Sequence, residues 1–444
     1  MKTILVLGAG RSSSSLIAYL LEQAGQQEWK IMVGDIAEEA ARERVHDHHR
    51  GTAILFDIAD ETASTKTIAE ADVVISLLPA HLHPLVAHHC LKLNKHLLNA
   101  SYVSEEMKAL HAEAHAKGLL FMNECGLDPG IDHMSAMHVM DTIRAEGGKI
   151  ISFESFTGGL IAPETDPENS WRYKFTWNPR NVVMAGQGTA KFLKRGQYKY
   201  IPYQQLFSRT TPVHVEGLGD YEGYANRDSL KYIEMYGLHG IQTMVRGTLR
   251  NQGYCSAWNI FVQLGCCDDT YIMEGVDTMT HRDFINAFLD FDTHKSVEEK
   301  LCAQLKLDAR GAEIQKLSWS GFFDKERIGL STGTPAQILE HILNKKWKLQ
   351  ETDRDQIVMW HRFVYEIGIH QKEIQATLVA TGDDAVHTAM AKTVGLPLGI
   401  AAKLLLQGKI QQRGVVVPMQ KEIYNPILQE LKTRGIALTE KHIQ

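Results

Sequence analysis

Short apolar runs alternate with amphipathic helical patterns along the first 125 residues of the chain. The apolar runs predict strands, and the stretches between them, with apolar residues at helical spacing, predict helices. The predicted strands are Thr3–Leu7, Lys30–Val33, Ala53–Phe56, Asp72–Leu78, His96–Asn99 and Leu119–Met122, and the predicted helices are Ser14–Ala24, Glu38–His48, Thr62–Ala71, Pro84–Leu93 and Glu105–Lys117. Strands that alternate with helices of about 10–15 residues form right-handed crossover units, so the pattern predicts an α/β fold with a doubly wound parallel sheet.

The pattern changes after Gly130. Residues 150–262 carry short strand signals among glycines and aromatic residues, residues 281–306 and 335–348 have helical periodicity, and residues 360–380 alternate like long antiparallel strands. Residues 385–407 predict an apolar helix that is broken at Gly395-Leu396-Pro397, and residues 425–433 predict a last helix. We therefore expect one domain at 1–132, completed by the C-terminal helices of 386–444. A second, α+β substrate-binding domain is expected at 133–385, with a helical excursion at about 280–350.

A glycine turn joins the first predicted strand to the first predicted helix, with the sequence Gly8-Ala9-Gly10-Arg11-Ser12-Ser13. Gly8 allows the tight turn, and Gly10 lets the backbone approach a pyrophosphate whose oxygens face the amides at the start of the helix. Ser13 takes the third small position, and the Arg11 guanidinium can stack on an adenine or pair with a phosphate. In this position the turn predicts a Rossmann domain that binds a dinucleotide, and a glycine turn without a ligand is the alternative.

Asp35 closes the second predicted strand, where a carboxylate usually bonds to the ribose hydroxyls of NAD. A 2′-phosphate at that place would meet a like charge, so Asp35 favours NAD, with NADP as the second option. A plain helix cap is the alternative role for Asp35. The end of the fourth strand adds Leu78 and Pro79 to the predicted cofactor site, because the carboxyl ends of parallel strands border the cofactor. The predicted cofactor site is Gly8, Gly10, Arg11, Ser12, Ser13, Asp35, Leu78 and Pro79.

Composition and charge exclude several classes of protein. The 444 residues carry 47 basic and 53 acidic side chains, and this net charge of −6 argues against nucleic-acid or anionic-membrane partners. No apolar run reaches the roughly 18 residues of a transmembrane helix, and the apolar N-terminal stretch is too short for a signal sequence. Six cysteines without a CxxC pair argue against a disulfide scaffold or a zinc ribbon. The histidine clusters at 46–49, 81–83 and 88–89 are assigned to peripheral helices, so we expect no metal site. The cysteine usage and the lack of a membrane or signal segment predict a cytoplasmic location.

The densest group of chemically active residues follows the sixth predicted strand. Asp128-Pro129-Gly130 alone spells a tight turn, yet Glu124, Asp132 and His133 crowd the same edge. The stretch from Asn123 to His133, Asn-Glu-Cys-Gly-Leu-Asp-Pro-Gly-Ile-Asp-His, resembles the saccharopine dehydrogenase family, in particular its glutamate-forming reductases. Further segments resemble that family in the same order along the chain, namely Ser152–Glu164, Tyr173–Arg180, Asn226–Ser229 and Val245–Arg250.

The resemblance implies a reaction and a set of site residues. Members of the family condense glutamate with 2-aminoadipate 6-semialdehyde and reduce the imine with NAD(P)H to saccharopine, or run in reverse. The family residues that match Tyr102, Asp128, Trp177 and Arg227 lie at the substrate site. The resemblance implies that Arg227 anchors a carboxylate, that Tyr102 and Asp128 orient the amine and move protons, and that Trp177 forms a wall. A packed tyrosine, a tight turn, a core tryptophan and a surface arginine are the alternatives.

Other residues in the matching segments are weaker candidates. Arg246 and Arg250 carry guanidinium groups that suit a substrate with several carboxylates. Thr157 stands where fungal members have a cysteine, so any proton role of a thiol is absent and a hydrogen-bonding hydroxyl remains. Cys125 is interpreted as a small buried residue. Lys174 is a candidate acid or base, or else the ion-pair partner of a nearby carboxylate.

Two other functions remain open. A carboxynorspermidine synthase would join a diamine to aspartate semialdehyde on the same fold, but a diamine favours acidic residues over the arginines of these motifs. A non-catalytic dinucleotide sensor would need only the nucleotide contacts. We therefore predict a glutamate-forming member of the family, an NAD(P)-dependent oxidoreductase that acts on CH–NH groups in lysine metabolism. Its partners are expected to be small amino-acid substrates and a second copy of the chain in a homodimer.

Overall fold

The computed structural model describes residues 1–443 and divides them into two compact units. The first unit consists of Met1–Lys149, Ile367–Ile369 and Leu378–Glu440, and the second of Ile150–Glu366, His370–Thr377 and the residues from Lys441 onward. The division into 1–132 with 386–444 and 133–385 stays a prediction. The helix that follows Gly130 belongs to the first compact unit.

The strands and helices alternate regularly up to residue 145 and less regularly beyond it. Up to that point they are β1 (Lys2–Leu7), α1 (Ser14–Gln27), β2 (Trp29–Asp35), α2 (Glu38–Val45), β3 (Gly51–Leu55), α3 (Glu61–Ala69), β4 (Val73–Ser76), α4 (His83–Leu93), β5 (His96–Asn99), α5 (Glu105–Ala109), α6 (His111–Ala116), β6 (Leu120–Met122) and α7 (Ile131–Ala145). The next are β7 (Lys149–Ile161), α8 (Pro179–Val183), β8 (Ala190–Lys194), β9 (Gln197–Ile201), α9 (Tyr203–Leu206), β10 (Thr211–Val215), β11 (Gly219–Ala225), α10 (Lys231–Met235), β12 (Thr243–Asn251) and α11 (Tyr254–Leu264). The remainder are α12 (His281–Asn286), α13 (Val297–Leu305), α14 (Ala312–Trp319), α15 (Pro335–Trp347), β13 (Asp355–Ile367), β14 (His370–Thr381), α16 (Ala389–Leu406), β15 (Gly414–Val416), α17 (Lys421–Thr433) and β16 (Leu438–Ile443).

The first unit is built on a seven-stranded parallel sheet in the order β15-β6-β5-β4-β1-β2-β3. Helices follow each of its first six strands, and the interior strand β1 is fully buried from Ile4 to Leu7, as a strand covered on both faces requires. The predicted doubly wound fold is confirmed. The seventh strand, β15, pairs with β6 and places Val415 opposite Phe121; this strand was not predicted, because three residues carry too little periodicity.

The second unit is built on a nine-stranded mixed sheet. Its main path runs β10-β11-β12-β7-β13-β14-β16, and β8 pairs with both β12 and β9. Strands β12 and β7 are parallel, with Arg246 opposite Ser155, whereas β11 and β12 are antiparallel. Helices pack with this sheet around an aromatic core that includes Trp171, Trp258 and Trp347. The sheet together with α8–α15 confirms the predicted second α+β unit.

Several predicted helices differ in detail from the structure. The predicted helix Glu105–Lys117 is two short helices, α5 and α6, with Leu110 between them. The predicted helix 281–306 is also two helices, α12 and α13, which are separated by a loop whose Phe291 is 92% exposed. In both places helical spacing continued across a short break, so periodicity alone missed it.

Helix α16 is continuous from Ala389 to Leu406 and is not broken at Pro397, so the predicted break is wrong. An interior proline removes one backbone hydrogen bond, but two glycines of this helix pack closely on α1 and keep the helix in place. A Cβ at Gly395 would lie 2.9 Å from the backbone nitrogen of Leu16, and a Cβ at Gly399 would lie 2.5 Å from the Tyr19 ring. Although α16 is long and apolar enough to cross a membrane, 78% of it is buried, which is typical of a core helix.

This close packing predicts opposite effects for two glycine-to-alanine substitutions. Gly399→Ala forces the Tyr19 ring to move, so we expect the free energy of unfolding to fall by about 1–3 kcal/mol. Gly25→Ala on α1 is the matched control, because its Cβ would meet nothing within 4 Å and alanine favours the helix by about 0.5–1 kcal/mol. Urea unfolding of both variants measures the difference. Equal stabilities for the two variants would contradict the proposed contact between α16 and α1.

Candidate functional site

The glycine turn after β1 has the backbone geometry of a phosphate-binding turn. Gly8 has a φ of +103°, and its amide donates to the Gly34 carbonyl at 2.8 Å. A Cβ at Gly10 would meet nothing within 4 Å, so the backbone there is open to a ligand. The Ser13 hydroxyl donates to the Gly10 carbonyl at 2.7 Å and does not cap α1. The residues of this turn therefore fit a dinucleotide, with the exposed Arg11 and half-buried Ser12 beside the start of α1.

Asp35 ties the glycine turn to the end of β2. Its Oδ2 accepts from the Ala9 amide at 2.7 Å, and its Oδ1 accepts from the Ala37 amide at 2.9 Å. The side chain is half-buried, and Glu38 and Glu39 in the first turn of α2 add negative charge close by in the chain. Asp35 thus serves the backbone as a cap-like acceptor and also places a carboxylate at the predicted ribose position.

Leu78 and Pro79 follow β4 at the carboxyl edge of the sheet, as expected. Leu78 is half-buried against the core, and exposed Pro79 precedes a 3₁₀ turn at Ala80–Leu82. A separate cavity of about 210 Å³ in the first unit includes Ser14 and Arg44 in its lining but none of the predicted cofactor residues.

Tyr102 and Asp128 are brought together in the first unit, as the resemblance implied. The Tyr102 hydroxyl donates to Asp128 Oδ1 at 3.1 Å, and both side chains are half-buried. Tyr102 follows β5 and Asp128 follows β6, so adjacent parallel strands deliver them to one edge. Glycines at 126 and 130 allow the Asp128 turn to close, because a Cβ at Gly130 would collide with the Gly126 backbone.

A buried cluster of titratable side chains, Glu124, Asp132 and His133, lies close to this pair in the chain. His133 Nε2 is 2.8 Å from Glu124 Oε2, and His133 Nδ1 is 3.6 Å from Asp132 Oδ2. Asp132 Oδ1 accepts from the Gly130 amide at 2.6 Å. All three residues are at most 1% exposed. Glu124, Asp132 and His133 had been noted only as polar residues at this edge.

His83 is a site-edge residue that sequence reasoning missed. It had been assigned with its cluster to a peripheral helix, but its ring lies between Ser76 Oγ at 3.0 Å and Ser101 Oγ at 2.9 Å. Burial, with a contribution from His81, lowers the pKa of His83 to about 4, so the ring is neutral at pH 7. The sequence does carry a signal for this position. His83 lies in the crossover between β4 and β5, so the residue that ends β4 and the residues that follow β5 lie on either side of it.

In the second unit the structure brings the Arg227 segment onto β12. The Asn226 amide donates to the Arg246 carbonyl at 3.1 Å, and the Arg246 amide donates to Ser229 Oγ at 2.9 Å. Arg227 is exposed and has a left-handed backbone with a φ of 46°. The Arg246 side chain is 5% exposed, and its guanidinium lies 4.0 Å from the centre of the Tyr232 ring. Asn226 and Ser229 are therefore the residues that fix this segment.

Thr157 and Trp177 lie at the edge of the hydrophobic core of the second unit. Thr157 on β7 is opposite Thr248 on β12, and its buried hydroxyl has no hydrogen-bond partner among residues 1–443. It is thus suited to donate to a ligand, as the sequence suggested. Trp177 is half-buried and packs against the aromatic core. Its exposure therefore lies between that expected of a pocket wall and that of a core residue.

Two weaker candidates do not suit their suggested roles. Arg250 is 4% exposed and lies over the ring of Tyr173, with a centroid distance of 5.0 Å, and close to two further tyrosines. Its environment is the core, which does not leave it available as a carboxylate fork. Lys174 is bonded to Asp353 at 2.7 Å and Asp166 at 2.9 Å. Burial alone would lower the pKa of Lys174, but these carboxylates raise it, so it stays protonated near neutral pH.

Cysteine and metal chemistry find no support in the described part of the chain. Burial raises the pKa of the Cys125 thiol, which agrees with its interpretation as a small buried residue. Within residues 1–443, no three histidine, cysteine, aspartate or glutamate side chains converge as metal ligands would.

Comparison with known proteins covers nearly the whole chain. Residues 4–122 match the family profile described as "Saccharopine dehydrogenase NADP binding domain", and residues 126–436 match "Saccharopine dehydrogenase C-terminal domain". The dinucleotide-binding prediction is thereby confirmed, whereas the preference for NAD stays a prediction.

Named relatives fall into two groups. The chain is 34% identical over 445 residues to the mitochondrial alpha-aminoadipic semialdehyde synthase of Bos taurus, covering 99% of this chain but 47% of that relative. It is 31% identical over 460 residues to the saccharopine dehydrogenase (NADP(+), L-glutamate-forming) of Pyricularia oryzae, covering 99% of both. The chain thus spans about half the length of the first relative and nearly all of the second.

Solved structures show the same fold. The apo saccharopine dehydrogenase (L-Glu forming) of Saccharomyces cerevisiae superposes with a TM-score of 0.90 at 30% identity, covering 100% of both chains. A homospermidine synthase from Legionella pneumophila, solved with NAD, gives a TM-score of 0.56 at 10% identity, which shows a shared fold alone.

The position of Asp35 predicts how one substitution changes cofactor binding. Asp35→Ala removes an acceptor for ribose hydroxyls and also the negative charge that opposes a 2′-phosphate. We expect the Kd for NAD to rise about tenfold or more and the Kd for NADP to change less. Asp57→Ala is the matched control. Asp57 follows β3 and, like Asp35, accepts from the amide two residues further on, here that of Ala59 at 2.9 Å. Equal losses of NAD and NADP, measured by titration calorimetry, would make Asp35 purely structural.

Proposed function

The chain belongs to the saccharopine dehydrogenase family, and we propose that it is a glutamate-forming enzyme of that family. It would interconvert saccharopine with glutamate and 2-aminoadipate 6-semialdehyde, in lysine metabolism. The names of the full-length fungal relatives and the yeast structure support this activity.

The arrangement of arginine-bearing segments in the second unit carries the choice of substrate. The Asn226 amide donates to the Arg246 carbonyl, so the backbones that carry Arg227 and Arg246 are fixed on each other, with Arg227 exposed and Arg246 buried against the Tyr232 ring. Guanidinium groups bind carboxylates in bidentate geometry, and saccharopine carries several of them. A diamine substrate would gain nothing from these cations, so the arrangement favours saccharopine over carboxynorspermidine.

Tyr102 and Asp128 are proposed to act on the substrate amine. In the oxidative direction the secondary ammonium must lose a proton so that a hydride can leave the neighbouring carbon for the cofactor. Water must then add to the resulting imine carbon, and the nitrogen must take up a proton when the C–N bond breaks to release glutamate and the aldehyde. Both proton transfers at the nitrogen need an acid–base group there, and a carboxylate in a cleft that excludes water can serve. The Tyr102 hydroxyl holds Asp128 Oδ1 at 3.1 Å and so fixes the carboxylate that would take and return this proton.

The glycine turn, Asp35 and the start of α1 would hold the dinucleotide. When bound, its nicotinamide supplies the hydride acceptor or donor. Asp35 favours NAD by its charge, whereas the printed names of the fungal relatives specify NADP(+). We propose NAD as the preferred cofactor, with NADP as the second option. Thr157 and Trp177 are proposed to contact the substrate as donor and wall.

Location and assembly are further parts of the proposal. A cytoplasmic homodimer stays our prediction, and the substrates are its expected partners. The composition supports the absence of nucleic-acid and anionic-membrane partners, since acidic residues exceed basic ones. The domain bounds 1–132 with 386–444, and 133–385, are proposed as the folding domains.

The proposed function predicts saccharopine-dependent reduction of the cofactor and a defect in one variant. The purified protein with saccharopine should increase the absorbance of reduced nicotinamide, faster with NAD than with NADP.

Arg227→Ala should raise the KM for saccharopine about tenfold or more, since charge-assisted bonds to a carboxylate contribute about 1.5–3 kcal/mol. The Kd for NAD should stay unchanged.

Arg195→Ala is the matched control for this experiment. Arg195 is also exposed in the second unit and also has a left-handed backbone, with a φ of 49°, so both substitutions carry a similar backbone cost. We expect normal saccharopine kinetics from Arg195→Ala.

In the assay of the wild-type protein, a faster reaction with NADP would support the reaction and overturn the preference for NAD. No reduction with either cofactor would contradict the proposed function and would favour another conjugate or a sensor.

A further inference from the structure

We propose that Glu124 is a positioning residue that sets the Tyr102 hydroxyl against Asp128, and that His133 holds Glu124 in place for this task. The inference deepens the proposed function, because it rests on the roles given there to Tyr102 and Asp128. Glu124 and His133 are not proposed to touch the substrate. They act through the two loops that carry the reacting groups.

Glu124 holds the backbone on both sides of Tyr102. Its amide donates to the Ser101 carbonyl at 3.0 Å, and its Oε1 accepts from the Val103 amide at 3.0 Å. One residue therefore bonds to the residues immediately before and after Tyr102. The tyrosine side chain is half-buried, so these backbone bonds restrain where its hydroxyl lies.

The other side of Glu124 leads to the Asp128 turn. Glu124 Oε2 is 2.8 Å from His133 Nε2, at the start of α7. The neighbouring Asp132 accepts from the Gly130 amide through Oδ1 and donates its own amide to the Leu127 carbonyl at 3.0 Å. The bonds of Asp132 thus span the turn that contains Asp128. The cluster joins the Tyr102 loop and the Asp128 turn into one bonded unit.

Burial makes this link stiff. Glu124 is 1% exposed and His133 is fully buried, so neither side chain can exchange its partner for water without a cost. Glu124 also has a left-handed backbone, with a φ of 54°, which is uncommon for a glutamate and persists only where surrounding bonds hold it. A plain buried ion pair would explain the burial but not why its bonds lead to both neighbours of Tyr102.

A double-mutant cycle tests the proposal. Glu124→Gln keeps the size of the side chain and an oxygen for the Val103 amide, but it loses the carboxylate that His133 contacts. We expect it to lower kcat for saccharopine oxidation about tenfold or more, with the Kd for NAD within twofold of wild type. In the Tyr102→Phe background the same substitution should change kcat less than twofold. An equal factor in both backgrounds, or no change in either, would overturn the proposal.

A second pair of variants tests the role of His133. His133→Gln supplies an amide that can donate to Glu124 Oε2, so kcat should stay within about threefold of wild type. His133→Ala cannot donate and should lower kcat as much as Glu124→Gln does. Equal losses in the two His133 variants would overturn the role of that bond. Asp141→Asn is the control on the same helix, since Asp141 accepts from the Tyr424 hydroxyl at 2.7 Å and should leave kcat unchanged.

A spectroscopic measurement separates this inference from the proposed function. With 3-fluorotyrosine at position 102, the fluorine resonance reports the ring environment without any turnover. We expect Glu124→Gln to shift or broaden this resonance and Asp141→Asn to leave it unchanged. If the wild type fails to oxidise saccharopine, the proposed function fails, while this resonance still tests the positioning role. A resonance that is the same in Glu124→Gln and in the wild type would overturn the positioning role.

Discussion

The parallel direction of all seven strands in the first sheet is the constraint on which the candidate site depends. In such a sheet every strand ends at the same edge, so residues that are far apart in sequence meet there. Gly8, Asp35 and Ser76 come from the ends of β1, β2 and β4, and Tyr102 and Asp128 come from the loops after β5 and β6. The candidate residues of the first unit are thus distributed along the sequence and collected by the strand direction of this sheet.

Hydrogen bonds made by polar side chains hold this edge together. Asp35 fixes the glycine turn through the Ala9 amide, His83 bridges two serines, and Glu124 and Asp132 fix the two loops after β5 and β6. Each of these side chains bonds to protein groups that would otherwise need water. Rigid support of this kind is what a site needs when catalysis depends mainly on placing one carbon against a hydride donor or acceptor. The same bonds explain why polar residues concentrate at this edge.

The sequence predicted features that depend on local pattern and missed those that depend on distant contacts. Strands β1–β6 and the glycine turn follow from periodicity and spacing, and the structure confirms them. The continuity of α16 past Pro397 was missed, because it depends on glycine contacts with α1 that lie far away in sequence. The core position of Arg250 and the bridging position of His83 were missed because periodicity does not show which side chains pack together, namely the rings of Tyr173, Tyr224 and Tyr254 for Arg250 and the hydroxyls of Ser76 and Ser101 for His83.

Isotope transfer can show whether this chain joins glutamate to an aldehyde through an imine that it then reduces, as we propose. The protein would be supplied with glutamate, 2-aminoadipate 6-semialdehyde and NADH that carries deuterium at C4 of the nicotinamide. We expect saccharopine that contains one deuterium at the former aldehyde carbon, as measured by mass spectrometry. Saccharopine that forms without deuterium from either face of C4, or deuterium that appears only in an alcohol of the aldehyde, would contradict it.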